Sequence, residues 1–334
     1  MLRIKHLLTL GLLWLLLIGC SSELLVRFWV HHVYQSPLPT PVNQPFTEVP
    51  EMPAGIRPGK VLYMHANFSG VAANGVRYTT NAWAFRDDPV DMSQQHVVFL
   101  GDSATFGLNI PHEATYAEVW ERLKGPGWQA INTAMPGRGT INEYDILNEV
   151  LQRGVQPTWV VVGFFANDPW NNTYYDHEPE SQGVLDHLYT AQIATALWEH
   201  TQVQKQVTFD SHAAVTEHAK ALWQDKAWQT SLRYLGYIRD RAAQVDAKTL
   251  ILYIPVNTTE ALNGSAAGVV LRRYTDQENI PFINGVDVYQ AYLQAHNLTT
   301  IPATFYSAPG DMGHPGILAS ELLGQAVYAR MQPG

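Results

Sequence analysis

Five short apolar runs punctuate this chain. His96-Val97-Val98-Phe99-Leu100 stops at Gly101-Asp102-Ser103, and Ala130-Ile131-Asn132-Thr133-Ala134 stops at Pro136-Gly137. Trp159 to Phe165 stops at Asn167-Asp168-Pro169, and Leu250 to Ile254 stops at Pro255. Pro281-Phe282-Ile283-Asn284 is a weaker fifth. The runs are nearly continuous rather than alternating, which is how strands buried on both faces of a parallel sheet read. Amphipathic stretches lie between and after them: Ala114 to Leu123, Ile141 to Val150, Ser231 to Val245, Ala267 to Glu278 and Ile317 to Met331. Strand and helix in alternation predict an α/β fold around a parallel sheet of about five strands. In such sheets a binding site lies outside the carboxyl ends of the strands.

Two regions depart from the rhythm. Asn74-Gly75 before Val76-Arg77-Tyr78-Thr79-Thr80 is a hairpin signal and predicts a small β excursion. Residues 169–229 hold Trp170, Tyr174, Tyr175, Trp198, Trp223 and Trp228, and are expected to form a helical insertion after the third strand. It is read either as a cap over the site or as a packing extension.

At the N-terminus, Arg3, Lys5 and His6 precede an uncharged apolar run from Leu7 to Cys20, the form of a secretory signal. Leu17-Ile18-Gly19-Cys20 resembles a bacterial lipobox, which implies lipid attachment at Cys20, the sole cysteine. The alternative is an uncleaved signal anchor, because apolar character resumes from Leu24 to Val30. Either way the positive head is expected to stay inside and the bulk of the chain outside the cytoplasm. The division expected is 1–22 targeting segment, 23–59 proline-rich spacer and 60–334 catalytic domain. A net charge of −9 argues against a nucleic-acid partner, which needs clustered Lys and Arg. One cysteine excludes a disulfide framework and a cysteine zinc cluster.

Three polar motifs stand where three strands end, and a fourth, Asp311-Met312-Gly313-His314, precedes the last helix. A nucleophilic hydrolase needs a hydroxyl, a base, an orienting carboxylate and oxyanion donors, and residues of each type are present. Gly101-Asp102-Ser103-Ala104-Thr105-Phe106-Gly107 resembles the first block of the SGNH (GDSL-type) hydrolases. Asn132 to Gly137 resembles the second block, Gly163 to Asp168 the third, and Asp311 to Pro315 the last. Thr80 to Arg86 resembles a segment found upstream in membrane-attached members.

The resemblance implies a three-layer α/β/α, flavodoxin-like fold. It also implies Ser103 as nucleophile, His314 as base and Asp311 as the carboxylate orienting the imidazole. The oxyanion donors it implies are the N–H groups of Ser103 and Gly137 and the amide of Asn167. Pro315 suits the first position of the final helix and would place His314 at its entrance. Ala104 stands where the family name has Leu, two extra residues separate Gly163 from Asn167, and Arg138 follows Gly137. Asp102 is expected to cap a helix, Asp168 to act as a turn residue, and Asn81 and Arg86 to fix the entry loop.

No Gly-x-Ser-x-Gly elbow, phosphate loop or dinucleotide fingerprint occurs. His112-Glu113 lacks the second His of a zincin. Asp176-His177 and Asp186-His187 read as solvated or packed pairs, so no metal or cofactor is expected. The chain is therefore expected to be an exported serine hydrolase acting on small-molecule or glycan esters. Acyl transfer to a cell-envelope glycan and a non-catalytic carbohydrate-binding module are the alternatives.

Overall fold

In the computed structural model, the described residues are 19–25, 28, 46–51, 59–72, 74–172, 212–255, 260, 264–308 and 313–332. The chain forms two units. One comprises 1–40, 48–63 and 177–207; its described parts are helical residues 19–25 and most of a two-stranded sheet, β1 (Phe46–Glu51) with β2 (Gly59–Met64). The other comprises 41–47, 64–176 and 208–334 and holds the main sheet. No described helix is long and apolar enough to cross a membrane.

The second unit opens with the expected hairpin. β3 (Ser69–Val71) pairs antiparallel with β4 (Arg77–Thr79), and Gly75 takes the left-handed φ of +83° that its turn requires. The main sheet has five parallel strands: β5 (Gln95–Gly101), β6 (Trp128–Asn132), β7 (Pro157–Phe165), β8 (Lys248–Ile254) and β9 (Phe282–Asn284). Their order is β6-β5-β7-β8-β9. Chain direction across the sheet reverses after β5, so the crevice for a ligand lies beyond the ends of β5 and β7.

Both faces of β5, β6, β7 and β8 are largely buried, which explains the continuous apolar runs. Val98, Leu100, Val160, Val162 and Ile251 enter one core layer, and Val97, Phe99, Val161, Leu250 and Leu252 enter the other. α3 (Thr140–Gln152), α6 (Lys226–Ala243) and α7 (Ala266–Glu278) cover the first layer. α2 (Tyr116–Lys124), α8 (Gly285–Ala295) and α9 (Ile317–Arg330) supply side chains to the second. The result is the expected α/β/α sandwich.

Some boundaries differ from expectation, and α8 was not expected at all. α6 begins at Lys226 rather than Ser231, because Asp225 accepts a hydrogen bond from the Trp228 N–H at 3.0 Å and caps it. Trp228 then packs on Phe164 with ring centroids 5.5 Å apart, so it belongs to the core. The run expected at 130–134 pairs as a strand only over 128–132. α8 follows β9 with no loop, because Asn284 caps the Val286 N–H directly at the strand's end. Residues 173–211, the body of the expected insertion, lie outside the described residues. Its flanks are α4 (Asp168–Asn172) and α5 (His212–Gln224).

Candidate active site

The turn that carries Ser103 is built by the end of β5. Asp102 caps α1 (Ser103–Phe106), accepting from the Ala104 N–H at 2.8 Å, as expected of it. This fixes Ser103 at the first helical position, 7% exposed. Gly101 and Gly163 stand opposite each other in the β5–β7 register. A Cβ on Gly101 would sit 2.0 Å from Thr105 Oγ1, and one on Gly163 2.2 Å from the same oxygen and 2.3 Å from the Tyr116 hydroxyl. Both glycines therefore make room for the Tyr116 hydroxyl to donate to Thr105 Oγ1 at 2.8 Å beneath the turn.

Arg86 fixes the exit of the turn. It is fully buried, with its guanidinium over Tyr78 at 4.4 Å from the ring centroid. It donates to the carbonyls of Phe106 (2.9 Å), Gly107 (2.5 Å) and Ile110 (2.6 Å). Asn81 accepts from the N–H groups of Trp83 and Phe85, closing the entry loop. Both residues hold backbone, as the sequence suggested.

His314 is brought to Ser103 from 211 positions away: its Nε2 lies 2.8 Å from Ser103 Oγ. The imidazole stacks on Phe165 at the end of β7, with centroids 6.1 Å apart. The expectation that Pro315 opens the last helix is corrected. Gly316 is the cap and α9 starts at Ile317. His314 is held instead by its carbonyl, which accepts from the Ser307 N–H at 3.1 Å, beside a Tyr306–Pro315 bridge. Gly316 is obligatory at this crossing, since a Cβ there would meet the Tyr306 carbonyl at 2.2 Å. Asp311 lies outside the described residues.

Asn167 and Gly137 occupy the two neighbouring loops. The Asn167 side chain hydrogen-bonds to Asp102. An amide carries two N–H donors, and this contact uses at most one of them. Burial pushes the Asp102 carboxyl up, and the Ala104 N–H, His314, Asn167 and Ser103 counter that push. Ser103 Oγ lies 3.3 Å from Asp102 Oδ2, a second acceptor for its proton. The Gly137 loop leaves the sheet beside Gly101, with the Met135 N–H donating to the Gly101 carbonyl at 3.2 Å. Gly137 has φ +75°, a conformation that favours glycine.

The two loops are laced together by residues that sequence reasoning did not single out. Asn171 donates to the Arg138 carbonyl at 2.9 Å. Asn172 accepts from the Ile141 N–H at 3.0 Å and donates to Thr140 Oγ1 at 2.7 Å. Beneath the lacing, Asp168 and Glu143 are both fully buried. Asp168 accepts from the Phe165 N–H at 3.0 Å, so its structural role stands. Burial first, then mutual repulsion and the charge of Asp102, raise Asp168 well above the usual carboxylate range. Burial and Asp102 raise Glu143 likewise. The signal for Glu143 was present: it falls on the apolar face of α3 with Ile146, Leu147 and Val150.

Cys20 is exposed within helical residues 19–25. The arrangement of hydroxyl, imidazole and amide donor at the switch point suits nucleophilic attack on a carbonyl and protonation of its leaving group.

No known family profile matches the chain, and no curated protein matches it. Solved structures do show a similar chain path. A putative lipolytic protein of the G-D-S-L family from Desulfitobacterium hafniense DCB-2 aligns at TM-score 0.43 and 13% identity, over 71% of this chain and 100% of its own. A protein called TesA aligns at 0.43 and 14%, over 72% and 99%. Est24, a carbohydrate acetylesterase from Sinorhizobium meliloti, aligns at 0.41 and 14%, over 71% and 98%. These are resemblances at low identity, and the roles assigned below rest on the site's own geometry.

Proposed function

We propose that this chain is a serine esterase of the SGNH (GDSL-type) kind, cleaving O-acyl and in particular O-acetyl esters. The observation that carries the reading is the 2.8 Å approach of His314 Nε2 to Ser103 Oγ at the mouth of the sheet. Ser103 Oγ bonds to the ester carbonyl carbon while its proton passes to His314 Nε2. The oxyanion that forms is stabilised by the N–H groups of Ser103 and Gly137 and by the free N–H of Asn167. Collapse breaks the bond to the alcohol, which takes the proton from His314 and leaves an acyl-Ser103. Water, deprotonated by the same imidazole, then releases the acid. Asp311 orients the imidazole in this scheme.

The decisive assay is hydrolysis of a chromogenic acetyl ester by the full chain. Ser103→Ala and His314→Ala each lose activity by about 10³-fold or more; undiminished hydrolysis by Ser103→Ala refutes the reading. With a glycan acceptor present, free acetate rather than acetylated glycan is the expected product.

Export and membrane attachment through the N-terminus belong to the same proposal, supported by the basic head, the apolar run and the exposed Cys20. Cys20→Ser shifts the chain from membrane to soluble fraction. Retention in the membrane identifies an uncleaved anchor instead.

A further inference from the structure

We propose that Asp87, His112 and Glu118 form a binding site for a divalent cation of the zinc or manganese class, separate from the Ser103–His314 pair. The three side chains come from three places. Asp87 lies on the loop entering the main sheet, His112 on the 3-10 turn after α1, and Glu118 in the first turn of α2. Each offers one ligand atom, and these atoms all lie within 4.8 Å of one another. His112 Nε2 is 3.4 Å from Glu118 Oε1. Two ligands about 2.0–2.1 Å from a tetrahedral ion are separated by roughly the same distance.

A second observation points to a ligand. Both ring nitrogens of His112 are shielded from solvent, and neither has a hydrogen-bond partner among the described residues. The imidazole is half-buried, and among the described residues Nε2 has only the Glu118 carboxylate beside it; a cation shared with that carboxylate would satisfy the shielded nitrogen. One imidazole nitrogen with two carboxylate oxygens suits zinc or manganese better than calcium or magnesium, which prefer all-oxygen shells.

The surroundings fit this use. Asp87 is braced as a ligating carboxylate should be, accepting from the N–H groups of Asp88 and Asn132, each at 2.7 Å. Glu118 also lines a groove of about 630 Å³ shared with Glu113, Glu121 and Arg122, where carboxylates outnumber the cationic side chain. The neighbouring guanidinium of Arg86 is committed to three backbone carbonyls. Occupancy would also reach the hydrolytic site. Asn132, held by Asp87, donates to the Thr105 carbonyl at 3.0 Å and accepts from the Ala134 N–H at 3.2 Å, joining the nucleophile turn to the Gly137 loop.

Cobalt(II) is the probe. The full chain is stripped with a chelator and titrated with Co²⁺, following visible absorption and bound metal per chain. The wild type is expected to bind one more equivalent than either His112→Ala or Glu118→Gln, and to melt a few degrees higher with Zn²⁺ than after stripping. The variants lack that shift. Glu118→Gln keeps the side-chain shape, so with an unchanged far-ultraviolet spectrum its loss of the cobalt bands reports ligation rather than unfolding. Equal metal content and equal melting shifts in wild type and variants overturn the proposal. So does an absence of binding to the stripped wild type.

Discussion

At the residue scale the site depends on which groups are left with a free donor or a surplus proton. Asn167 hydrogen-bonds to Asp102, and under the proposed mechanism its other amide hydrogen faces the substrate. Behind it, Glu143 and Asp168 are two buried carboxyls, and burial with the repulsion of nearby like charge raises both well above the usual carboxylate range. Their folded-state pKa values lie above those of the unfolded chain. The stability they contribute is therefore complete below the ordinary carboxylate range and is lost as pH rises toward the raised values. Each proton held only by the folded form lowers stability by about 1.4 kcal/mol per pH unit across that window. Glu143→Gln, which mimics the protonated side chain, is expected to flatten the fall in urea midpoint between mildly acidic and alkaline pH. An identical pH slope in wild type and variant would show that Glu143 is ionised throughout.

At the scale of elements, the ends of β5 and β7 lie side by side because two glycines clear space between them. The Thr105 hydroxyl fills that space, with the Tyr116 hydroxyl bonded to it. Gly163→Ala is expected to cost roughly 1–3 kcal/mol through overpacking. Adding Thr105→Ala and Tyr116→Phe, which remove the two obstructing oxygens, should recover part of it. Denaturant melts of the single and triple variants measure both; a neutral Gly163→Ala would mean that the turn needs no such space. The elements were legible to different degrees. β5, β7 and β8 announce themselves because both faces are buried, so no polar alternation dilutes the runs. α1 has only four residues, too few for any period to show. α8 hid behind the seamless join at Asn284, although Val286, Tyr289 and Leu293 mark its buried face.

At the scale of the molecule, the fold draws together residues that local patterns cannot relate. The blocks around Ser103 and His314 were readable as separate motifs whose order and spacing resemble one family. Their meeting is a property of topology, because β5 and β7 are neighbours and the segment before α9 returns beside them. The Asp87–His112–Glu118 grouping left no such trace, since none of the three stands in a recognisable ligand spacing. The helix entrance proposed for His314 failed for a related reason: a proline before a helix reads as its first residue, yet here pairing with Tyr306 claims it.

The central claim is that Ser103 is a nucleophile activated by His314. Mass-spectrometric mapping of the intact chain after reaction with a serine-directed fluorophosphonate tests it most directly. The account predicts a single adduct on Ser103, formed far more slowly in His314→Ala. A folded wild-type chain that takes no adduct, or takes it on another residue, would contradict it.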